Sequence, residues 1–205
     1  SSQSSEWPLL AFSTKRKPHI LLWNNATQSI VSSIRLPRPP SQITESQKSA
    51  TWVQVTWQQD HTLYFTSYLG AIICADVTNP ARPVLNNKKK MDKHVRQVFV
   101  LDFVNQGSNL ISVSMDAQLI RWDVKSGNDV QSIKTQTKYP YCMDSLSWDK
   151  GQLAIAMGEK EVKYWKFSTA EDVIQPQSEP NYYAATVMWK GLQGKIQKVS
   201  PAINW

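Results

Sequence analysis

Cysteine is scarce in this chain: Cys74 and Cys142 are the only two in 205 residues. That excludes a disulfide framework and points to a reducing interior. Glycine is scarce too, with seven residues, and no phosphate-cradling glycine loop exists among them. No apolar run reaches the length of a membrane-spanning helix, so the chain is not expected to cross a membrane. The opening stretch Ser1-Ser2-Gln3-Ser4-Ser5-Glu6 lacks the basic-then-apolar pattern of a secretory signal. His19, His61 and His94 have no carboxylate or cysteine at ligand spacing, which argues against a zinc site. No nucleophile-elbow pattern surrounds any serine. No cofactor, no metal and no catalytic residue is therefore expected, and the chain does not read as an enzyme. Acidic residues are outnumbered, 16 against 23 Lys and Arg, giving a net charge of +7. A surplus of that sign favours an acidic partner: nucleic acid, an anionic membrane or an acidic protein.

Aromatics are plentiful, with nine Trp, seven Tyr and five Phe. Such a chain is not a disordered basic tail. Four segments share one design. Leu10-Ala11-Phe12-Ser13 leads to Trp23, Leu63-Tyr64-Phe65-Thr66 to Ala75, Leu110-Ile111-Ser112-Val113 to Trp122, and Leu153-Ala154-Ile155-Ala156 to Trp165. From leading Leu to end position the distances are 13, 12, 12 and 12, and the ends lie 52, 47 and 43 residues apart. Each unit reads as two β-rich strands joined by a tight turn. A further strand precedes three of them and ends in an aromatic: Trp57, Phe103 and Trp148.

Four antiparallel strands in a repeat of about 40–45 residues, closed by Trp-Asp, read as a WD40 β-propeller. Trp122-Asp123 is the intact pair; Trp23-Asn24, Ala75-Asp76 and Trp165-Lys166 are degraded copies. The competing fold is a generic β-sandwich with accidental spacing. The expected architecture is all-β, four to five blades of a seven-bladed ring. Blade units fall at about 7–36, 50–86, 96–135 and 143–186, with 195–205 opening a further blade. The first unit lacks an evident first strand unless the segment near Trp7 supplies it. Such a piece completes its ring with the rest of its own propeller.

Residues 37–50, 77–95 and 167–186 read as loops by composition. Lys15-Arg16-Lys17 occupies the turn of the first unit. Residues 14–48 hold six basic side chains against Glu45, and 81–96 hold Arg82, Lys88, Lys89, Lys90, Lys93 and Arg96 against Asp92. The remainder is net acidic, so the surplus is concentrated on what the fold makes one face, where Lys15, Arg16, Lys17, Lys88, Lys89, Lys90 and Lys93 are expected to contact RNA. Trp52, Arg96 and Tyr141 precede Trp57, Phe103 and Trp148 by five, seven and seven residues. That places each at the mouth of the central channel, where an aromatic stacks on an unpaired base and an arginine pairs with phosphate or a base edge. The competing reading packs Trp52 against loop 37–50 and lets Tyr141 cap a blade.

Several stretches carry a family likeness in order along the chain. They are Ser32-Ser33-Ile34-Arg35-Leu36-Pro37, Lys48 to Trp57, His94-Val95-Arg96-Gln97-Val98-Phe99, Leu110 to Asp123, Gln152-Leu153-Ala154-Ile155 and Met188 to Ile196. With these the chain resembles the later blades of the first WD40 propeller of the fifth Gemin protein family, the RNA-binding subunit of the SMN complex, called Rigor mortis in insects. The resemblance implies binding to the uridine-rich Sm site of small nuclear RNA, and to its 7-methylguanosine cap, during snRNP assembly. It implies other SMN-complex proteins as partners and a cytoplasmic, also nuclear, location. It carries an RNA-stacking role onto Trp52, a base contact onto Arg96, and a stacking aromatic onto Tyr141 or, without a one-residue insertion, Cys142. Ala117 stands where the family has a basic residue after the turn Asp. The alternative function is a protein-docking scaffold using the same basic face.

Overall fold

The computed structural model describes residues 2–3, 9–13, 19–36, 53–58, 61–67, 70–104, 107–135, 140–147, 152–157, 161–166 and 186–189, with side chains from 9 to 135 except 87–90. Among these there is no α-helix; sixteen strands form four four-stranded antiparallel sheets. The first holds β1 (Ser2–Gln3), β2 (Leu9–Ser13), β3 (His19–Asn24) and β4 (Ser29–Arg35). The second holds β5 (Val55–Trp57), β6 (Thr62–Thr66), β7 (Ile72–Asp76) and β8 (Val84–Met91). The third holds β9 (Val98–Val104), β10 (Asn109–Ser114), β11 (Gln118–Asp123) and β12 (Asp129–Lys134). The fourth holds β13 (Pro140–Ser147), β14 (Gln152–Met157), β15 (Glu161–Lys166) and β16 (Thr186–Trp189). Each sheet runs as a simple meander in chain order.

The sheets meet face to face, and their first strands form the inner line. β1 touches β5, β5 touches β9 and β9 touches β13. Burial follows from that stacking. A second strand lies between neighbours on both faces, so β10 is buried at Leu110 through Ser114 and β6 at Leu63 through Thr66. Fourth strands lie outermost, and β4 is mostly exposed or half-exposed. Strand alternation then divides the core in two. Leu63, Phe65, Ala75 and Val77 of the second sheet pack on Leu9, Ala11, Ile20 and Leu22 of the first. Tyr64, Ile72 and Cys74, on the opposite face, pack on Val98, Leu101, Leu110, Ile120 and Trp122 of the third. Tyr64 meets Phe103 edge to face at 5.3 Å, an arrangement that adds to simple area burial. Polar links also cross between sheets, such as Ser13 Oγ donating to the Val53 carbonyl at 3.2 Å and Ser32 Oγ to the Pro80 carbonyl.

The third strands end on a shared device. Asn24 Oδ1 accepts from the Ala26 and Thr27 amides at 2.8 and 3.2 Å, Asp76 Oδ1 from Thr78 N–H at 2.8 Å, and Asp123 Oδ2 from Ser126 N–H at 2.8 Å. Each is a side chain closing its own turn. Hydrogen bonds from the Thr78 hydroxyl and amide hold the Asp76 carboxyl below the ordinary carboxylate range, against a small opposing effect of burial. The Ser126 hydroxyl acts first among the causes that lower Asp123.

Three expectations change here. The first sheet does have a first strand, but it is Ser2–Gln3, pairing Ser2 with Ala11 and Gln3 with Leu10, upstream of Trp7. Residues 84–91 are a strand, not loop; an outermost strand pairs on one side only and needs no apolar alternation, so Asn-Asn-Lys-Lys-Lys suits it. The aromatic count also fails in the fourth sheet. The leading Leu of each second strand pairs with Trp57, Phe103 and Ser145, so Ser145, not Trp148, is the equivalent residue. The expected start of a further blade at 195–205 lies outside the described residues.

Candidate functional site

The connection from β8 to β9, residues 92–97, carries Arg96 at the head of an inner strand. Its backbone is fixed from two sides. From the third sheet, the turn between β10 and β11 reaches it through Asp116, whose Oδ2 accepts from the Val95 amide at 3.1 Å and contacts His94 Nδ1 at 2.9 Å. Ser114 Oγ donates to the Arg96 carbonyl at 3.0 Å, and the Met115 amide to the Gln97 carbonyl at 2.9 Å. From the second sheet, Gly70 presses on the same backbone. A Cβ at Gly70 would lie 2.2 Å from the Arg96 carbonyl oxygen, and its φ of +84° is one that glycine adopts freely. Between these contacts the Arg96 side chain is exposed, as is Val95 at 70%.

The anchor beneath is a buried polar chain. With Nδ1–H donated to Asp116, His94 Nε2 accepts from the Ser112 hydroxyl at 2.7 Å, and Ser112 Oγ accepts the Trp122 indole N–H, also at 2.7 Å. His94 and Trp122 meet edge to face at 6.3 Å. Every member satisfies its neighbour, as burial demands. Burial alone would raise the Asp116 carboxyl; the His94 hydrogen bond and the Val95 and Gln118 amides outweigh it, and the net shift is downward. Ser112, His94 and Asp116 have the connectivity of a hydrolytic triad. Ser112 is wholly buried, however, and its oxygen is already engaged by Trp122, so no substrate atom reaches it. The chain is a fastening.

Sequence reasoning missed His94 because its partners lie 22 and 18 residues away. A signal did exist, a Gly-His to Trp-Asp pairing within one WD unit. Here Lys93 replaces the glycine and hides it.

Those of the proposed contact residues that are described lie on different elements. Arg96 stands exposed in its fixed turn. Lys93, also exposed, bridges to Asp129 at 2.5 Å and is therefore already paired. Lys88, Lys89 and Lys90 belong to β8 rather than to a loop. Tyr141 lies within β13, not before it; Pro140 pairs with Met157 and Cys142 with Ala156, which makes Tyr141 the extra residue of a bulge. It stands four residues before Ser145, whereas Arg96 stands seven before the equivalent Phe103. Phe99, between Val98 and Val100, occupies the matching bulge of the third sheet. Trp52, Lys15, Arg16 and Lys17 lie outside the described residues. Among the described residues no group of His, Cys, Asp or Glu could hold a metal ion, and no helix is long and apolar enough to cross a membrane.

No protein-family profile matches this chain, and no curated protein matches it. Solved structures do match. One described as a crystal structure of the mitotic checkpoint complex aligns with a TM-score of 0.60 at 18% identity, covering 79% of this chain and 45% of that one. The chain has a WD40-like β-propeller fold. It spans less than half the length of that neighbour, and identity at this level bears on the fold alone. With 1013 solved chains matching, the fold by itself selects no function.

Proposed function

We propose that this propeller is a non-enzymatic RNA-recognition module that acts on small nuclear RNA during snRNP assembly. The observation that carries the reading is Arg96, an exposed guanidinium on a backbone fastened by Asp116, Ser114 and Gly70. The backbone that carries this cation has little freedom left to lose on binding, which favours recognition of a base edge or phosphate. Trp52, five residues before Trp57, adds a stacking surface by its place in the chain, and Tyr141 of β13 offers a second aromatic. The net charge of +7 supplies salt-dependent attraction. Stacking is worth about 1–3 kcal/mol per base. Trp52→Ala and Arg96→Ala should each weaken binding to a uridine-rich Sm-site oligonucleotide by that order, with unchanged unfolding midpoints. Unaltered affinity in both folded variants would remove the site assignment.

A second reading has its own support. Val95, beside Arg96, exposes an apolar side chain at 70%, and an apolar–cationic pair suits an acidic peptide. The structural neighbour belongs to a multiprotein complex. Under this reading Val95→Asp abolishes capture of the peptide, whereas an RNA partner is affected less than by Arg96→Ala.

A further inference from the structure

Outermost strands are sheet edges, and proteins blunt them with bulges and charge. β4 and β12 do so lightly. Each has one extra residue in its register, and each carries a single basic side chain, Arg35 and Lys134. β8 departs from this pattern. Cys74 pairs with Asn86 and Ile72 with Met91, so Ile73 alone faces residues 87–90. Three of those four residues are Lys88, Lys89 and Lys90. Edge protection in β4 and β12 needs neither so long a bulge nor so many cations.

The bulge also has a particular place. It lies at the end of β7 that follows the Gly70 turn, and Gly70 is the residue pressed against the Arg96 carbonyl. The topology thus brings the lysine triplet and Arg96 to the same end of the second sheet. Between them in the chain stand Asp92, which is exposed, and Lys93, which Asp129 holds. We infer that the 87–90 bulge is a second phosphate-binding element, over which a polyanionic strand reaching Arg96 continues toward the outer edge of the blade. Lys93 is not part of it. The inference rests on the RNA reading given above.

The test is a salt series, roughly 50 to 200 mM, of oligouridine binding to the full chain. Each phosphate contact on a single strand contributes ~0.7 to the slope of log affinity against log salt, so replacing Lys88, Lys89 and Lys90 together by Ala should flatten it by about 2. Replacing all three by Arg should preserve the slope, and Lys93→Ala should leave it unchanged. A wild-type slope in the triple Ala variant overturns the inference and leaves the RNA reading standing. Self-association of that variant with a wild-type slope assigns the lysines to edge protection, with the same consequence. Failure of the wild-type chain to bind oligouridine at low salt overturns both.

Discussion

The second and third sheets solve one packing problem with opposite chemistry. In the third, the position two residues after the leading Leu is Ser112, and the strand-three position opposite that Leu is Trp122. In the second, the same two positions are Phe65 and Ala75, both wholly buried. The third sheet places its large side chain on the third strand and ties it to Ser112, His94 and Asp116. The second places its large side chain on the second strand and needs no polar partner. Both fill the space, but only the polar version reaches the β8–β9 connection and fixes the backbone of Arg96. The halves of the Trp-Asp pair therefore separate. Asn24, Asp76 and Asp123 all keep the turn-closing role, whereas Trp122 adds a second role as a hydrogen-bonding fastener through Ser112 and His94.

The largest way to break this comparison is Trp122→Ala, which imposes on the third sheet the small residue that the second tolerates. With no Phe65 equivalent to fill the space, the loss should be about 3–5 kcal/mol, read from urea unfolding. A loss as small as that of an exposed substitution would show that the two sheets are not alternative solutions. Next is Ser112→Ala against Phe65→Leu. The first leaves His94 and Trp122 each short of a hydrogen bond in a buried site and should cost ~1–3 kcal/mol per group. The second keeps an apolar fill and should cost about 1.5 kcal/mol or less. Equal losses would mean that the polar chain adds nothing beyond packing.

A smaller effect separates the sheets by pH. The folded Asp116 carboxyl lies below the ordinary carboxylate range. A depressed folded value means that its stabilisation is complete above the unfolded value and is lost as pH falls through the folded one. Acid unfolding midpoints should show this: Asp116→Asn loses stability at neutral pH, and its deficit relative to wild type shrinks on acidification below about pH 4. A deficit that stays constant across that range would exclude Asp116 ionisation as the source.

The sequence carried the central strands well, for a physical reason. Second and third strands are packed on both sides, so Leu63-Tyr64-Phe65 and Leu110 to Val113 are apolar enough to read directly. Ser2–Gln3 and β8 were hidden because backbone pairing alone holds an edge, and polar side chains satisfy it. Tyr141 was misplaced because the count ran from Trp148: the pairing of Leu153 with Ser145 puts the equivalent of Phe103 three residues earlier, one of them the extra residue at 146. Of the site, Arg96 was legible as a cation before an inner strand. What holds it was not, because Gly70, His94 and Asp116 meet only once two sheets are stacked.

The most direct measurement of the central claim compares two ligands for the intact chain at low and higher salt, roughly 50 and 200 mM. One is a uridine-rich single-stranded RNA, the other an acidic peptide of equal charge. If the fastened Arg96 serves base recognition, the RNA binds more tightly at both concentrations and retains measurable affinity at the higher one, while the peptide is lost there. Peptide binding equal to or tighter than RNA binding at both concentrations would contradict the account.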